Sequence, residues 1–288
     1  MRRWVCDICY RPIASGNHYC DRCRRLFRTH VENAKRRKAA AAAYDKGADA
    51  FRCHYTGAVL EERDQGDPFY FSFDHAIPDR SSGLVMSSML FNVLKDEFSP
   101  VEFPKVMAEL AAHRRGKEFD RDVVGFEHWT GRLSQRPPSR EDRYPADATE
   151  CIVCGGPPLH HSWYCKRCLR LRSRYRFKKA PLVRALKRAW YPDRKGFFCH
   201  LTDARLEVED ESSPWYVTID HLVPGGGSRL VVTAAWVNAM KSDLTEGDFW
   251  AVVEEYDRWR REGGEFDKRC AEFRHWRGGR KRRRMRSG

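Results

Sequence analysis

The stretch at 215–244, WYVTIDHLVPGGGSRLVVTAAWVNAMKSDL, contains the pattern that decides the fold of this chain. Its first five residues are aromatic or β-branched and predict a strand that ends just before Asp220 and His221. A proline and three glycines then break the chain. Leu230–Val232 predicts a second short strand, and Ala234–Leu244 has apolar residues at helical spacing. The stretch therefore predicts a strand, an Asp-His pair, a loop, a strand and a helix, in that order.

The same order of parts is found 146 residues earlier. There Phe69–Phe73 and Leu84–Met86 predict the two strands, Ser87–Glu97 predicts the helix, and Asp74-His75 follows the first strand. The other landmarks that recur at offsets of 146 or 147 are FRCHYTG (51–57) as FFCHLTD (197–203), Asn92-x-x-Lys95 as Asn238-x-x-Lys241, and EFD (118–120) as EFD (265–267).

The chain is therefore a tandem duplication. We predict an α+β fold with two domains, 1–133 and 151–288, each of ordinary domain length. The segment 134–150 is polar and contains prolines, which is typical of a linker or a mobile loop. One or two amphipathic helices near the end of each half are expected to form core or to pack between the halves.

Eight of the 11 cysteines form two quartets with one spacing, Cys-x2-Cys-x10-Cys-x2-Cys. Paired CxxC motifs favour zinc over disulfides in a chain with no secretion signal, and four thiolates form a tetrahedral zinc site. We therefore predict two structural zinc ions, held by Cys6, Cys9, Cys20 and Cys23 and by Cys151, Cys154, Cys165 and Cys168. Cys53 and Cys199, each followed by a histidine, are interpreted as buried strand thiols rather than as ligands of a second metal.

The charge balance predicts a polyanionic partner. The 288 residues have a formal net charge of +14 and a pI of about 9.4, which is typical of nucleic-acid-binding proteins. A basic helix is expected from Asp21 to about Tyr44, and its counterpart, KRCLRLRSRYRFKKA, is more basic still. No apolar run is long enough to span a membrane and no signal-peptide core is present, so we expect a cytoplasmic protein without a membrane partner.

The pattern D-H-x-x-P followed by N-x-x-K-x-[DE] resembles the HNH endonucleases of the ββα-metal superfamily. It begins at Asp74 and resumes at Asn92, and it begins again at Asp220 and resumes at Asn238. The second copy is especially similar to homing and phage-type members, and the preceding CHYTG and CHLTD resemble the lead-in common there, although Asp203 replaces the glycine. The motif covers roughly 30 residues of each half, and four-cysteine zinc sites are found in many HNH proteins.

The resemblance implies a role for each matching residue. His75 and His221 would be general bases, Asp74, Asn92, Asp220 and Asn238 would ligate one Mg²⁺ or Mn²⁺ per site, and Lys95 and Lys241 would lie near the scissile phosphate or the backbone. The family usually has an asparagine near the start of the second strand to steady the histidine, and Gly83 and Arg229 stand there instead. A backbone carbonyl, Ser87 or Thr233 is left to orient the base.

The implied function is a site-specific endonuclease of homing or restriction type that cuts double-stranded DNA. The fused halves would act as a monomeric pseudo-dimer, with each HNH unit hydrolysing one strand. A structure-specific nuclease for branched DNA and a non-catalytic zinc-dependent DNA-binding protein are the alternatives, and RNA cleavage is a weaker one. The arginines that we expect to contact phosphates or guanines are Arg22, Arg24, Arg25, Arg28, Arg170, Arg172, Arg174 and Arg176.

Overall fold

The computed structural model shows a mixed α+β protein. It describes residues 4–26, 34–78, 83–123, 125–130, 149–160, 162–174, 179–225 and 229–277. None of the helices in these ranges combines the length and the apolar character that crossing a lipid bilayer requires.

The elements of the two repeats follow the same order. The first repeat contains α1 (Asp21–Leu26), α2 (Ala34–Ala43), β1 (Tyr44–Asp45), β2 (Ala50–Phe51), β3 (Phe71–His75), β4 (Leu84–Ser88), α3 (Met89–Lys95) and α4 (Glu102–Arg114). The second contains α5 (Lys166–Arg174), α6 (Lys179–Ala189), β5 (Trp190–Tyr191), β6 (Gly196–Phe197), β7 (Val217–His221), β8 (Leu230–Ala234), α7 (Ala235–Lys241) and α8 (Glu246–Glu262). The predicted basic helix is thus described as two helices, and residues 27–33 lie outside the described ranges.

Each Asp-His pair lies inside a two-stranded antiparallel hairpin. In the first repeat Asp74 pairs with Val85 and His75 with Leu84, and in the second Asp220 pairs with Val231. The strand was predicted to end before the pair, but the ladder continues regularly through it. Both residues are the last two of their strand, next to the loop that joins the two strands of the hairpin.

The strand β3 begins two residues later than predicted because the preceding residues pair elsewhere. The amide of Glu61 donates to the carbonyl of Phe69 at 2.9 Å, and Tyr70 forms a parallel bridge with Glu61. Phe69 and Tyr70 therefore pair with Glu61, and the hairpin begins at Phe71.

The helices that follow the hairpins are short, and local signals define their ends. The hydroxyl of Ser88 accepts a hydrogen bond from the amide of Phe91 at 3.1 Å and caps α3, whereas Ala234 stands at the same place before α7 and provides no side-chain cap. Both helices end at a residue with positive φ, Asp96 at 41° and Ser242 at 47°. The positive φ turns the chain out of the helix at these residues.

The chain divides into two compact units that differ from the predicted domains 1–133 and 151–288. Unit 1 comprises residues 1–111 and 247–288, and unit 2 comprises residues 112–246. The last segment of each repeat thus belongs to the unit that contains the hairpin of the other repeat. In unit 1, for example, the ring of Phe69 lies 6.0 Å from that of Phe266.

Candidate metal centres and the two aspartate clusters

The first cysteine quartet is assembled by two tight turns. The amide of Tyr10 donates to the carbonyl of Cys6 at 2.9 Å, and the amide of Arg24 donates to the carbonyl of Cys20 at 2.9 Å. All four sulfurs lie within 4.8 Å of one another, and those of Cys9 and Cys20 are 3.4 Å apart. A tetrahedral zinc with bonds of about 2.3 Å places its sulfur ligands about 3.8 Å apart, so the quartet fits the ion.

The second quartet repeats this geometry. The amide of Gly155 donates to the carbonyl of Cys151 at 2.9 Å, and the sulfurs of Cys154 and Cys165 are 3.6 Å apart. Burial, with the neighbouring sulfurs, raises the pKa of the Cys23 and Cys168 thiols. The four thiols of a site become thiolates together when a cation compensates their charge. The predicted gathering of both quartets is confirmed, and zinc is compatible with each of them.

The first aspartate cluster centres on the carboxylate of Asp74. The Nζ atom of Lys95, whose side chain is 0% exposed, lies 3.2 Å from Asp74 Oδ2. The hydroxyl of Tyr55 donates to the same oxygen at 2.6 Å. Both contacts go to Oδ2, so Oδ1 is the oxygen through which this carboxylate would bind a cation.

The other two residues that the motif predicts, Asn92 and His75, lie on the helix and the hairpin of the same cluster. The side-chain nitrogen of Asn92 donates to the hydroxyl of Ser72 at 2.7 Å, which fixes α3 against β3. The side-chain oxygen of Asn92 is the atom that could face a cation. His75 has a buried Nδ1 atom that makes no hydrogen bond within the described part of the chain. That nitrogen therefore has no bond to Ser87, whose hydroxyl donates to the carbonyl of Ser88.

The second aspartate cluster has the same scaffold with different partners. The Nζ atom of Lys241 lies 2.8 Å from Asp220 Oδ2 and donates to the carbonyl of His221 at 3.1 Å. Asp220 Oδ1 accepts from the amide of His221 at 2.8 Å. The side-chain nitrogen of Asn238 donates to the hydroxyl of Thr218 at 3.2 Å. Thr218 also contacts Thr233, so the hydroxyl of Thr233 is engaged within the hairpin.

The electrostatics of the second cluster are dominated by burial. Burial raises the pKa of Asp220, although the nearby Lys241 charge and its hydrogen bond act to lower it. A buried carboxylate with a raised pKa is a common feature of functional sites, and it also arises in structural ion pairs.

Tyr55 is the residue of the first cluster that sequence reasoning missed. It stands in the CHYTG lead-in, and the residue at the same place in the second repeat is Leu201. Burial, and then the neighbouring Asp74 charge, raise the pKa of Tyr55, so the phenol keeps its proton and remains a donor. The sequence offered one signal for it, because the first repeat has a tyrosine hydroxyl at this position and the second repeat does not.

The lysine side chains of the two clusters are buried against the aspartates and are not at the protein surface. Lys95 is 0% exposed and Lys241 is 1% exposed. Each ammonium contacts the carboxylate of its own cluster, which is the position of a group that orients an aspartate. Their predicted place beside a phosphate stays a prediction.

The arginines predicted to contact DNA differ in how far other residues engage them. Arg22 is only 16% exposed and pairs with Glu62 and Asp49. Among the others, Arg24 contacts Asn17, Arg170 pairs with Glu209 at 2.9 Å, and Arg172 stacks over Tyr164. Arg25 and Arg174 lie on helices, but their side chains are outside the described part of the chain, as are Arg28 and Arg176 altogether.

Compared with known protein families, with curated proteins and with solved structures, the chain has no match in any of the three.

Proposed function

We propose that the chain is a metal-dependent endonuclease of the HNH type that acts on double-stranded DNA, with one hydrolytic site in each repeat. One observation carries the proposal. The same buried Asp–Lys pair and the same Asn contact recur on the same hairpin-and-helix scaffold in both repeats, at Asp74 and at Asp220. Each cluster also has a histidine next to the aspartate in the ladder.

The donor set supports a divalent cation at each cluster. One carboxylate and one amide oxygen are hard ligands of the kind that Mg²⁺ and Mn²⁺ prefer. Asp74 with Asn92, and Asp220 with Asn238, would hold the ion. A bound ion would stabilise negative charge on the phosphate during hydrolysis.

The histidines would act as the general bases. His75 or His221 would take a proton from the attacking water, whose oxygen forms a bond to phosphorus while the bond from phosphorus to the 3′ oxygen breaks. The leaving 3′ oxygen gains a proton, and the products carry a 5′-phosphate and a 3′-hydroxyl. Lys95 and Lys241 would hold the aspartates in place.

The positive charge of the chain supports DNA as the substrate. A net charge of +14 favours a polyanion as the partner. The hydrogen bonds that Arg24 and Arg170 make are exposed to solvent, so both side chains are accessible to DNA. Two sites in one chain suit the two strands of a duplex, with the halves acting as a monomeric pseudo-dimer.

The test is cleavage of a randomised duplex library with Mg²⁺ or Mn²⁺, comparing the wild type, His75→Ala, His221→Ala and the double variant. We expect the wild type to cut both strands and each single variant to nick one strand. Loss of a general base lowers the rate about 10²–10⁴-fold. His160→Ala, at an exposed side chain outside both clusters, is the control and should cut as the wild type does.

If the wild type binds duplexes but leaves every strand whole, the proposal fails for duplex DNA. Four-way junctions are then the next substrate, and cleavage of a junction alone would identify a nuclease for branched DNA. A chain that cuts neither would be a DNA-binding protein.

A further inference from the structure

The C-terminal segments of the two repeats carry the same aromatic residues at the same places. Phe119, Phe126 and Trp129 of the first repeat correspond to Phe266, Phe273 and Trp276 of the second, all at an offset of 147. We call residues 115–130 and 262–277 the aromatic segments. Their shared pattern indicates that both serve the same packing purpose.

In unit 1 the aromatic segment and α8 of the second repeat pack on elements of the first. The ring of Phe91 on α3 lies 5.3 Å from Phe266 and 5.7 Å from Tyr256. Phe69 lies 6.1 Å from Phe273. The ammonium of Lys268 adds a polar contact, because it donates to the carbonyl of Val59 at 3.1 Å.

Unit 2 has the reciprocal arrangement. The ring of Trp236 on α7 lies 5.9 Å from Phe119 and 5.8 Å from Phe126, both from the first repeat. The indole of Trp129 donates to the carbonyl of Ser212 at 2.8 Å. The side chains of Phe119, Trp236, Phe266 and Phe91 are all buried.

These contacts reach the helices that carry the aspartate clusters. Phe91 precedes Asn92 on α3, and Trp236 lies two residues before Asn238 on α7. We propose that the two repeats are obligate partners, in which the aromatic segment of each repeat holds in place the cluster helix of the other. The partner of each hairpin-and-helix surface is thus the other half of the duplication, and the association does not need the covalent link between them.

The first test is hydrogen exchange of the full chain, which does not depend on any enzymatic activity. Phe266→Ala should raise amide exchange in 89–95 at least about tenfold and leave 235–241 protected, because a cavity beside α3 weakens that helix locally. Phe119→Ala should show the opposite pattern. Val101→Ala, at a side chain that is 66% exposed, is the control and should change neither segment.

Faster exchange in the cluster helix of the variant's own repeat, 235–241 for Phe266→Ala and 89–95 for Phe119→Ala, would overturn the proposal. If an alanine variant fails to fold, exchange rises everywhere, and Phe266→Leu and Phe119→Leu replace it with a smaller change in volume. Equal protection of both helices in all the variants would also contradict the crossed arrangement.

The second test cuts the chain between the repeats. A protease site is introduced within 134–148 of the full chain, cleavage is confirmed under denaturing conditions, and the product is measured by native mass spectrometry. We expect one particle near the intact mass of 33.8 kDa. Two separated halves at micromolar concentration would show that the covalent link is required. Because neither test measures cleavage of DNA, their failure is distinct from a failure of the proposed function.

Discussion

The aspartate clusters of the two units share one scaffold but satisfy their carboxylates differently. One oxygen of Asp74 accepts a hydrogen bond from the hydroxyl of Tyr55 and also contacts the ammonium of Lys95. Asp220 has no tyrosine at the corresponding position, where Leu201 packs instead, and its second oxygen turns to the amide of His221.

This difference shows which part of the arrangement both repeats need. The buried lysine and the asparagine contact are present twice, whereas the tyrosine is present once. A buried carboxylate requires charge compensation, and the second unit provides it with the lysine and a backbone amide. Tyr55 is therefore an addition that makes the first cluster less dependent on its lysine.

The largest expected effect concerns a feature in which the repeats should not differ, the cysteine quartets. Cys23→Ser and Cys168→Ser should each reduce the bound zinc from two ions to one per chain, since each removes a ligand from a closed site. The affected segment loses up to about 10–16 kcal/mol of apparent zinc-binding free energy. Metal analysis after gel filtration measures the stoichiometry, and Cys53→Ser is the control that should retain both ions. Two ions in Cys23→Ser would contradict the assignment of that quartet.

Lysine removal tests the difference between the clusters most directly. Lys241→Met should lower the free energy of unfolding by about 3–5 kcal/mol at pH 7, because it leaves Asp220 buried without its counter-charge. Lys95→Met should cost less, because Tyr55 still donates to Asp74. Urea unfolding measures both values, with the exposed Lys187→Met as the control. Equal losses would remove the asymmetry that we infer.

The Lys241→Met effect should also depend on pH. Burial raises the pKa of Asp220, and the substitution removes the charge that opposes this rise. When the pKa of a carboxyl is higher in the folded state than in the unfolded state, stability is present at low pH and is lost as the pH rises through the interval between the two values. The destabilisation should therefore grow from acid toward neutral pH, and a loss that shrinks over that range would be inconsistent with a carboxylate left uncompensated.

Tyr55→Phe isolates the hydroxyl. We expect a loss of about 1.5–3 kcal/mol, which is typical of a hydrogen bond to a charged group. Tyr256→Phe, in the same unit, is the matched control. It also removes the hydroxyl of a buried tyrosine, but none of the described hydrogen bonds joins that tyrosine to an aspartate. A double-mutant cycle with Lys95→Met should give a coupling energy well above zero, since both residues contact one oxygen. Additive effects would show that the two donors act independently.

The smallest expected effect lies in the zinc knuckles, at a position where the repeats differ by one residue. Tyr10 adopts φ of 58°, and Gly155 adopts φ of 70° at the corresponding place. Tyr10→Gly should relieve about 1–2 kcal/mol of left-handed strain but lose about 0.5–1 kcal/mol from the contact of Lys46 with the ring. Thermal unfolding should show a net gain between zero and about 1.5 kcal/mol. Gly155→Ala should show a loss, although no atom lies within 4 Å of the added carbon.

Local patterns predicted local structure well. The quartets gather because each CxxC turn is closed by hydrogen bonds between residues a few positions apart. The strand predicted at Leu84–Met86 is observed as Leu84–Ser88, and the helix predicted at Ser87–Glu97 is observed as Met89–Lys95, because Ser88 caps it and Asp96 ends it.

Contacts between distant residues could not be predicted in the same way. The bond from Tyr55 to Asp74 crosses 19 positions and leaves no periodic signal. The exchange of the aromatic segments is hidden for a stronger reason. Phe119 and Phe266 stand in identical EFD sequences, so nothing in either segment states which repeat it will pack against.

The exchange also sets an order for folding during synthesis. Unit 2 contains no residue beyond 246, whereas unit 1 contains α8 from residue 247 onward and the aromatic segment that ends at 277. The ribosome adds about 5–20 residues per second, so the unit that contains the first hairpin must wait a few seconds after the other has all its parts. The hairpin encoded first is thus the one completed last, and its apolar surface at Phe69 and Phe91 stays uncovered until then.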